Sequence, residues 1–484
     1  MKGCLKDLKP LVFADFVVYA AVALFCFMSF EQACDLFHTG GCSIAYLQGH
    51  FKDVYDVCGD SLKAFPEVPA AYPNYLPSTY VLFALWNIPL YLFGAVREPR
   101  LDVGLWVFWY KALPTIFFFA SAWLIFKIGK LLGMTSKTAF VAAFVWITCP
   151  LAFFSQFIFG QYDSFTIFFV LAGLHFFLRR RFLGFALFFG IAATFKHFPL
   201  VVLVPLLLLA EKRIFSILQL LLLSLVPLSL EILAYWHSPG FSIGVLNNAF
   251  GNRIFAAKLD LFPDIGYSWF FVIWIVICGM AFLKECEDEI EFQRWGLYLC
   301  LLPGVLFFGF IYWHPQWLLF MTPFLVLTSF LNRHSRFFFL LDILMMWAFV
   351  GFVVHQWSFN VDQRLLAQGL WGSWNPGLQV PNHSFLMKNL FFLHEKRLYL
   401  SVFFGCLLLH VIFKFPRKLG PNSWVAVDQI NISSFLSAVR WRFLAGVGIF
   451  VIPAFVSYWL IIKESRPELA NVKCFLCSAE CRQK

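Results

Sequence analysis

Phe165-Thr-Ile-Phe-Phe-Val-Leu-Ala-Gly-Leu-His-Phe-Phe-Leu178, Arg179-Arg-Arg181 and Phe182-Leu-Gly-Phe-Ala-Leu-Phe-Phe-Gly-Ile-Ala-Ala-Thr-Phe195 follow one another directly. Each apolar run is hydrophobic on all sides, which suits a helix surrounded by lipid or by other helices, and the three arginines mark a membrane face between them. The same alternation of apolar run and charged punctuation extends from Phe16 almost to the C-terminus. Over 484 residues, 61% are hydrophobic, 20% aromatic and 13% charged, against roughly a quarter charged in an average soluble domain. A soluble globular protein is excluded. The fold class is all-α, a polytopic membrane helix bundle.

The net charge is +10, from 37 Lys+Arg and 27 Asp+Glu, and the charges cluster between apolar runs. That distribution reads as positive-inside topology and contact with anionic headgroups, and argues against nucleic acid as a partner. Lys2, Lys6 and Lys9 put the N-terminus in the cytoplasm, ahead of a first span at Phe16 to Phe30. Basic clusters at Lys127, Lys130 and Lys137, at Arg179 to Arg181 and at Glu211 to Arg213 are read as cytoplasmic. Parity then makes Tyr80 to Phe93 a juxtamembrane helix within a long first external loop, 31–104. A second external loop covers 356–396 and a basic cytoplasmic loop 414–442. The expectation is about 11 to 13 crossings, with residues 1–331 as a catalytic module and 332–484 as C-terminal helices. Several runs, such as Phe182 to Phe195 and Leu200 to Ala210, are short for a bilayer, which brings their polar ends to a cavity at membrane depth. No internal repeat is visible.

Ionisable groups at membrane depth are costly and point to function. By topology they gather on the outer side: Asp35 beyond the first span, Gln161, Tyr162 and Asp163, Lys196 and His197, and His314 with Gln316. A carboxylate there can take a proton from an attacking hydroxyl, and a second can orient the acceptor or hold a divalent cation such as Mg or Mn. Lys and His can bind a phosphate. Together they suggest displacement of a phosphate leaving group, with the short spans and many phenylalanines accommodating a lipid tail. Structural readings compete at each position. Asp35 can end a helix, Asp163 can serve an Asx turn, Lys196 can snorkel to headgroups, and His314 before Pro315 can bond a freed carbonyl. Lys111, beside Pro114, can snorkel outward or reach a phosphate. Thirteen cysteines are present; those in apolar runs are packing residues. Cys34, Cys42 and Cys58, and the tail group Cys474, Cys477 and Cys481, leave a disulfide or a metal open. No metal ligand is assigned.

With these residues assembled, the chain resembles the GT-C superfamily of integral-membrane glycosyltransferases that use polyprenyl-phosphate-linked sugars. Asp35-Leu-Phe37 with Asp53-Val-Tyr55 resembles the superfamily's first external loop, and Tyr72-Pro-Asn-Tyr-Leu-Pro-Ser-Thr-Tyr80 its proline-containing juxtamembrane helix. Phe159-Gly-Gln-Tyr-Asp-Ser164, Lys196-His-Phe-Pro199 and His314-Pro-Gln-Trp-Leu-Leu319 look like polyprenyl-phosphate mannosyl- and glucosyltransferases. The resemblance implies Asp35 as the base of an inverting transfer and Lys196 and His314 at the donor phosphate, where Lys111 is a further candidate. It puts Gln161, Tyr162, Asp163, His197 and Gln316 along the cavity or the acceptor path. The paired-acid form of the opening motif is absent.

The expected activity is transfer of a hexose, mannose or glucose, from a polyprenyl-phosphate donor to a lipid-linked or cell-envelope glycan acceptor. It would take place on the periplasmic face of a bacterial inner membrane, or the lumenal face of the endoplasmic reticulum in a eukaryote. Membrane lipids are partners, and Trp371 and Trp374 in the second external loop are candidates for stacking on a sugar. Asn382-His-Ser384 is a glycosylation sequon in that loop. The rival is a flippase for a lipid-linked saccharide, which expects ionisable groups on both sides of the midplane.

Overall fold

A computed structural model describes residues 10–63, 72–95, 106–247, 257–262, 265–330, 335–357, 361–375, 380, 395–416 and 432–465. Among them the regular structure is helical apart from one antiparallel hairpin, β1 (Lys258–Phe262) and β2 (Ile265–Ser268). The longer helices are α1 (Pro10–Ser29), α2 (Ala33–Cys42), α3 (Val54–Lys63), α4 (Pro77–Leu92), α5 (Trp106–Leu131), α6 (Ser136–Ile147), α7 (Pro150–Phe159), α8 (Asp163–Phe177), α9 (Phe182–Phe195), α10 (Phe198–Ala210), α11 (Ile214–Tyr235), α12 (Trp269–Leu283), α13 (Glu289–Phe310), α14 (Thr322–Phe330), α15 (Ser335–Gln356), α16 (Lys396–Phe413) and α17 (Ile432–Ser465).

Five of them, α5, α11, α15, α16 and α17, contain stretches long and apolar enough to cross a membrane. The bent pair α6 and α7 makes a sixth. Apolar helices of 10–17 residues occur at Phe13–Ser29, Asp163–Phe177, Phe182–Phe195, Phe198–Ala210, Trp269–Leu283 and Pro315–Phe330. The protein is therefore an all-α polytopic membrane bundle. Burial sorts its helices: 72% of the apolar window of α15 is buried against 11% for α11, so α15 lies at the centre. α11 presents Leu222, Val226, Leu230 and Leu233 outward, where an apolar surface is stable in lipid. One contiguous core runs from Tyr19 to Tyr458.

The stretch expected to lie along the membrane surface is helix α4. Pro77 starts it, where proline's missing N–H costs nothing, and Leu76 before it is extended. Buried Asn87 ties α4 down: its amide donates to Gly40 O at 3.1 Å and Ser43 Oγ at 2.9 Å, and its carbonyl accepts from Trp109 Nε1 at 3.1 Å. Beside it, Cys42 and Cys58 form a disulfide, which decides between disulfide and metal for those two thiols. The tail cysteines and Asn382 lie outside the described residues.

Between α6 and α7 the span breaks by 55° at Cys149–Pro150, because Pro150 has no N–H to continue the ladder. Exposed carbonyls at such a break need donors inside a membrane. Arg442, 1% exposed, supplies them: it donates to Val145 O and, at 3.1 Å, to Thr148 Oγ1, and it pairs with Asp342 at 2.9 Å. Nearby, buried Lys414 donates to Leu325 O at 2.7 Å, and buried His410 stacks on Phe338. Asp342 lies fourteen positions before Gln356 on α15, about 21 Å of helix. The expectation that buried ionisable groups gather on one side is thus corrected, since a second group sits far down the bundle.

α7 continues from Phe154 as a π-helix and ends at Gly160, whose φ of 77° is left-handed, a conformation that suits glycine. The chain turns there and α8 starts at Asp163. An apolar cavity of about 960 Å³ lies between α1, α5 and α6, bordered by Ala20, Phe27, Thr115, Trp123, Lys127 and Phe144.

Candidate active site

Four segments meet at one end of the bundle, and each is delivered by a helix terminus. The first is the link from α1 into α2, containing Glu31 and Gln32. The second is the turn Gly160–Asp163 between α7 and α8. The third is the end of α9, where Lys196 caps the helix with an extended backbone and the next helix opens at Phe198, with Pro199 in its first turn. The fourth is Trp313–Trp317, at the start of a 3₁₀ helix, Pro315–Phe320, that packs against α7 and α8.

At their centre the Lys196 ammonium lies 3.5 Å from Asp163 Oδ1. Asp163 is buried and the Lys196 side chain is 13% exposed, so Lys196 does not snorkel to the headgroups. It points into aromatic rings, with centroids at 4.5 Å for Tyr75, 5.6 Å for Trp317 and 5.9 Å for Tyr162. It also donates to Tyr75 Oη at 3.5 Å. Such rings attract a cation through their negative faces. Tyr75 is aimed by its loop, since Tyr55 Oη donates to Tyr75 O at 2.7 Å and Tyr75 N donates to Tyr80 Oη at 3.3 Å.

The Gly160–Asp163 turn also contacts the first external segment. Gln161 Nε2 donates to Gln32 Oε1 at 3.3 Å and Thr39 Oγ1 donates to Tyr162 Oη at 3.0 Å. Gln32 and Thr39 flank Asp35 on α2; the Asp35 side chain lies outside the described residues. His314 stacks on Trp357 at 4.4 Å and lies 5.1 Å from Trp317, so one indole separates it from Lys196. Gln316 is buried on the same short helix, with Oε1 unpartnered. His197 is exposed.

Lys111 departs from both sequence readings. It is fully buried, 3.6 Å from Glu31, and donates to three backbone carbonyls: Phe27 O at 3.1 Å, Phe30 O at 2.6 Å and Phe157 O at 3.1 Å. It does not snorkel, and the three N–H groups of its ammonium all face backbone carbonyls. Burial pushes the Glu31 carboxyl up, to about 7, against the opposing pull of the Lys111 ammonium.

Sequence reasoning singled out Gln161, Tyr162, Asp163, Lys196, His314 and Gln316, and the first five belong to this cluster by direct contact or through Trp317. It missed Tyr75, Trp317, Gln32, Thr39 and Glu31. Tyr75 and Trp317 lay inside the quoted motifs, and an aromatic residue two positions from a proline was the available signal. Among the described residues no three His, Cys, Asp or Glu side chains come together as for a metal ion.

The arrangement offers a buried cation, an adjacent carboxylate and flat aromatic walls, suited to a phosphate and a sugar ring. No curated protein matches the chain. The family model of glycosyltransferase family 87 matches residues 75–299, from Tyr75 through Lys111, Asp163 and Lys196. That match, on an all-α polytopic membrane bundle, indicates a membrane glycosyltransferase.

Proposed function

We propose that the chain transfers a hexose from a polyprenyl-phosphate donor to a lipid-linked or cell-envelope glycan acceptor, with inversion at the anomeric carbon. The observation that carries this reading is Lys196, a cation among Tyr75, Tyr162 and Trp317 and 3.5 Å from Asp163. Lys196 binds the donor phosphate, with His314 assisting. The rings form an apolar wall beside it for the sugar, and Gln161, Tyr162 and Asp163 line the acceptor path. Asp35, between Gln32 and Thr39, is the base. The acceptor oxygen attacks the anomeric carbon and gives its proton to the Asp35 carboxylate. The bond from that carbon to the phosphate oxygen breaks, and the electron pair leaves with polyprenyl phosphate, whose charge Lys196 stabilises.

The Cys42–Cys58 disulfide supports an oxidising, periplasmic or lumenal face for this end. The cavity between α1, α5 and α6 supports accommodation of an isoprenoid chain. The flippase reading expects charges at both depths, and these exist, but Arg442 and Asp342 are accounted for by the broken span. The test is transfer by the purified protein in lipid from labelled polyprenyl-phosphate mannose, glucose and arabinose to a lipid acceptor extract, wild type beside Asp35→Asn and Lys196→Ala. Transfer abolished by Asp35→Asn supports the mechanism. Unchanged transfer in that variant, or movement of the intact labelled lipid to the opposite leaflet, overturns it.

A further inference from the structure

We propose that Lys111 is a positioning residue that locks together the two segments carrying the site, the Phe30–Gln32 link into α2 and the Gly160–Asp163 turn into α8. This rests on the transferase reading. Two helices end at Lys111. Phe27 O and Phe30 O close α1, and Phe157 O lies in the last turn of α7. Carbonyls at helix ends lack intrahelical donors and form the negative pole of each helix. One ammonium with three N–H groups satisfies carbonyls from both ends at once, with Glu31 at 3.6 Å as its counter-charge.

The turn is shaped around this side chain. A Cβ at Gly160 would meet Lys111 Cε at 2.7 Å and Nζ at 3.2 Å, so glycine there meets both the backbone requirement and the need for space. One turn further along α5, Pro114 O accepts from Ser164 Oγ at 2.8 Å, a second tie from the same helix to the start of α8. Directly beyond the lock, Gln32 meets Gln161, and three residues after Gln32 comes Asp35. Lys111 thus fixes the distance between the segment carrying the proposed base and the turn carrying Asp163, which pairs with Lys196, without touching either reactant. A displacement of about 1 Å in such a site costs about 100-fold in rate.

The test compares wild type, Lys111→Met, Gly160→Ala and the double variant in nanodiscs. Hydrogen exchange is followed on peptides covering 26–36 and 155–165, alongside kcat and KM for the labelled donor. Each single variant is expected to speed exchange in both peptides, leave α15 unchanged, lower kcat about 100-fold and move donor KM less than about threefold. The double variant is expected to be no worse than the poorer of the two single variants, because both changes break one lock and the left-handed backbone cost of alanine at 160 is already present in Gly160→Ala. Gly160→Ala retains both ionisable groups and serves where Lys111→Met fails to accumulate. A raised donor KM with unchanged kcat and unchanged exchange would overturn the proposal and return Lys111 to the phosphate. Additive losses in the double variant would overturn it too. A wild type that transfers from no donor defeats the transferase reading alone, and the exchange comparison still decides the lock.

Discussion

Lys196, at the end of α9, places its ammonium 3.5 Å from the carboxylate of Asp163, the first residue of α8, and the two are enclosed by Tyr75, Tyr162 and Trp317. Buried charges of this kind are retained only in company, because an unpaired ion in a dry environment is costly. The Lys196–Asp163 pair is net neutral, so in the proposed reaction an arriving phosphate would compete with the Asp163 carboxylate for the Lys196 ammonium.

Lys196→Ala is expected to lower kcat about 10²- to 10³-fold, the cost of removing one preorganised donor from a developing charge, measured as labelled hexose transferred per minute. Lys196→Arg should retain part of the activity, since it keeps the charge but alters its geometry. Equal activity in the alanine variant and wild type would remove Lys196 from the phosphate.

Much of this cluster was legible in the sequence. Charge punctuation located the ends of apolar runs, and polar residues at those ends are few enough to name: Asp163, Lys196 and His314. The surroundings of Lys111 were not legible, because sequence position gives depth but not neighbours. A lysine about one helical turn inside a span can snorkel, and nothing local reveals that two other helices end against it. Arg442 and Asp342 were missed for a related reason, since their contact spans 100 residues and the carbonyl that Arg442 meets, Val145 O, lies in another segment, where Cys149 N donates to Trp146 O at the break before Pro150. Tyr75 stood in a quoted motif, but only the fold brings its ring over Lys196.

Arg442→Met is expected to destabilise the protein by about 3 to 5 kcal/mol, since it leaves the Asp342 carboxylate buried without its partner. The change should appear as a lower midpoint in thermal unfolding in detergent. Adding Asp342→Leu should recover much of the loss, because the isolated charge is then gone. If the double variant unfolds no later than Arg442→Met, the pair does not act as described.

Reduction of Cys42–Cys58 opens a loop of sequence separation 16, a size at which a crosslink contributes roughly 3 kcal/mol. Alkylation of Cys42 and Cys58 by a membrane-impermeant maleimide is expected only after reductant, and the Cys42→Ala, Cys58→Ala variant should be cleaved faster by protease within the first external loop. Labelling of both thiols in the untreated protein would refute the crosslink.

Glu31 lies between α1 and α2, and burial raises its carboxyl to about 7 from 4.5. A carboxyl whose folded-state pKa exceeds its unfolded value contributes stability that is full below about 4.5 and lost as pH rises through about 7. The unfolding midpoint of wild type should therefore fall between pH 5 and pH 8, and that of Glu31→Gln should fall less across the same window. Parallel curves for the two proteins would show that Glu31 does not titrate there.

The cavity between α1, α5 and α6 is open to a size test. Ala122, on α5, borders it, and Ala122→Trp would fill part of its volume with an indole. If an isoprenoid chain lies there, the variant should raise KM for a long-chain donor by about tenfold, equivalent to about 1.4 kcal/mol of lost burial or fewer than two CH₂ groups. It should leave KM for a donor with one or two isoprene units nearly unchanged. Lys196 and Asp35 are untouched by this change, so kcat at saturating donor should hold for both chain lengths. An equal rise in KM for short and long donors would mean that the indole disturbs the phosphate end through α5, and an unchanged KM for both would place the chain elsewhere on the bundle.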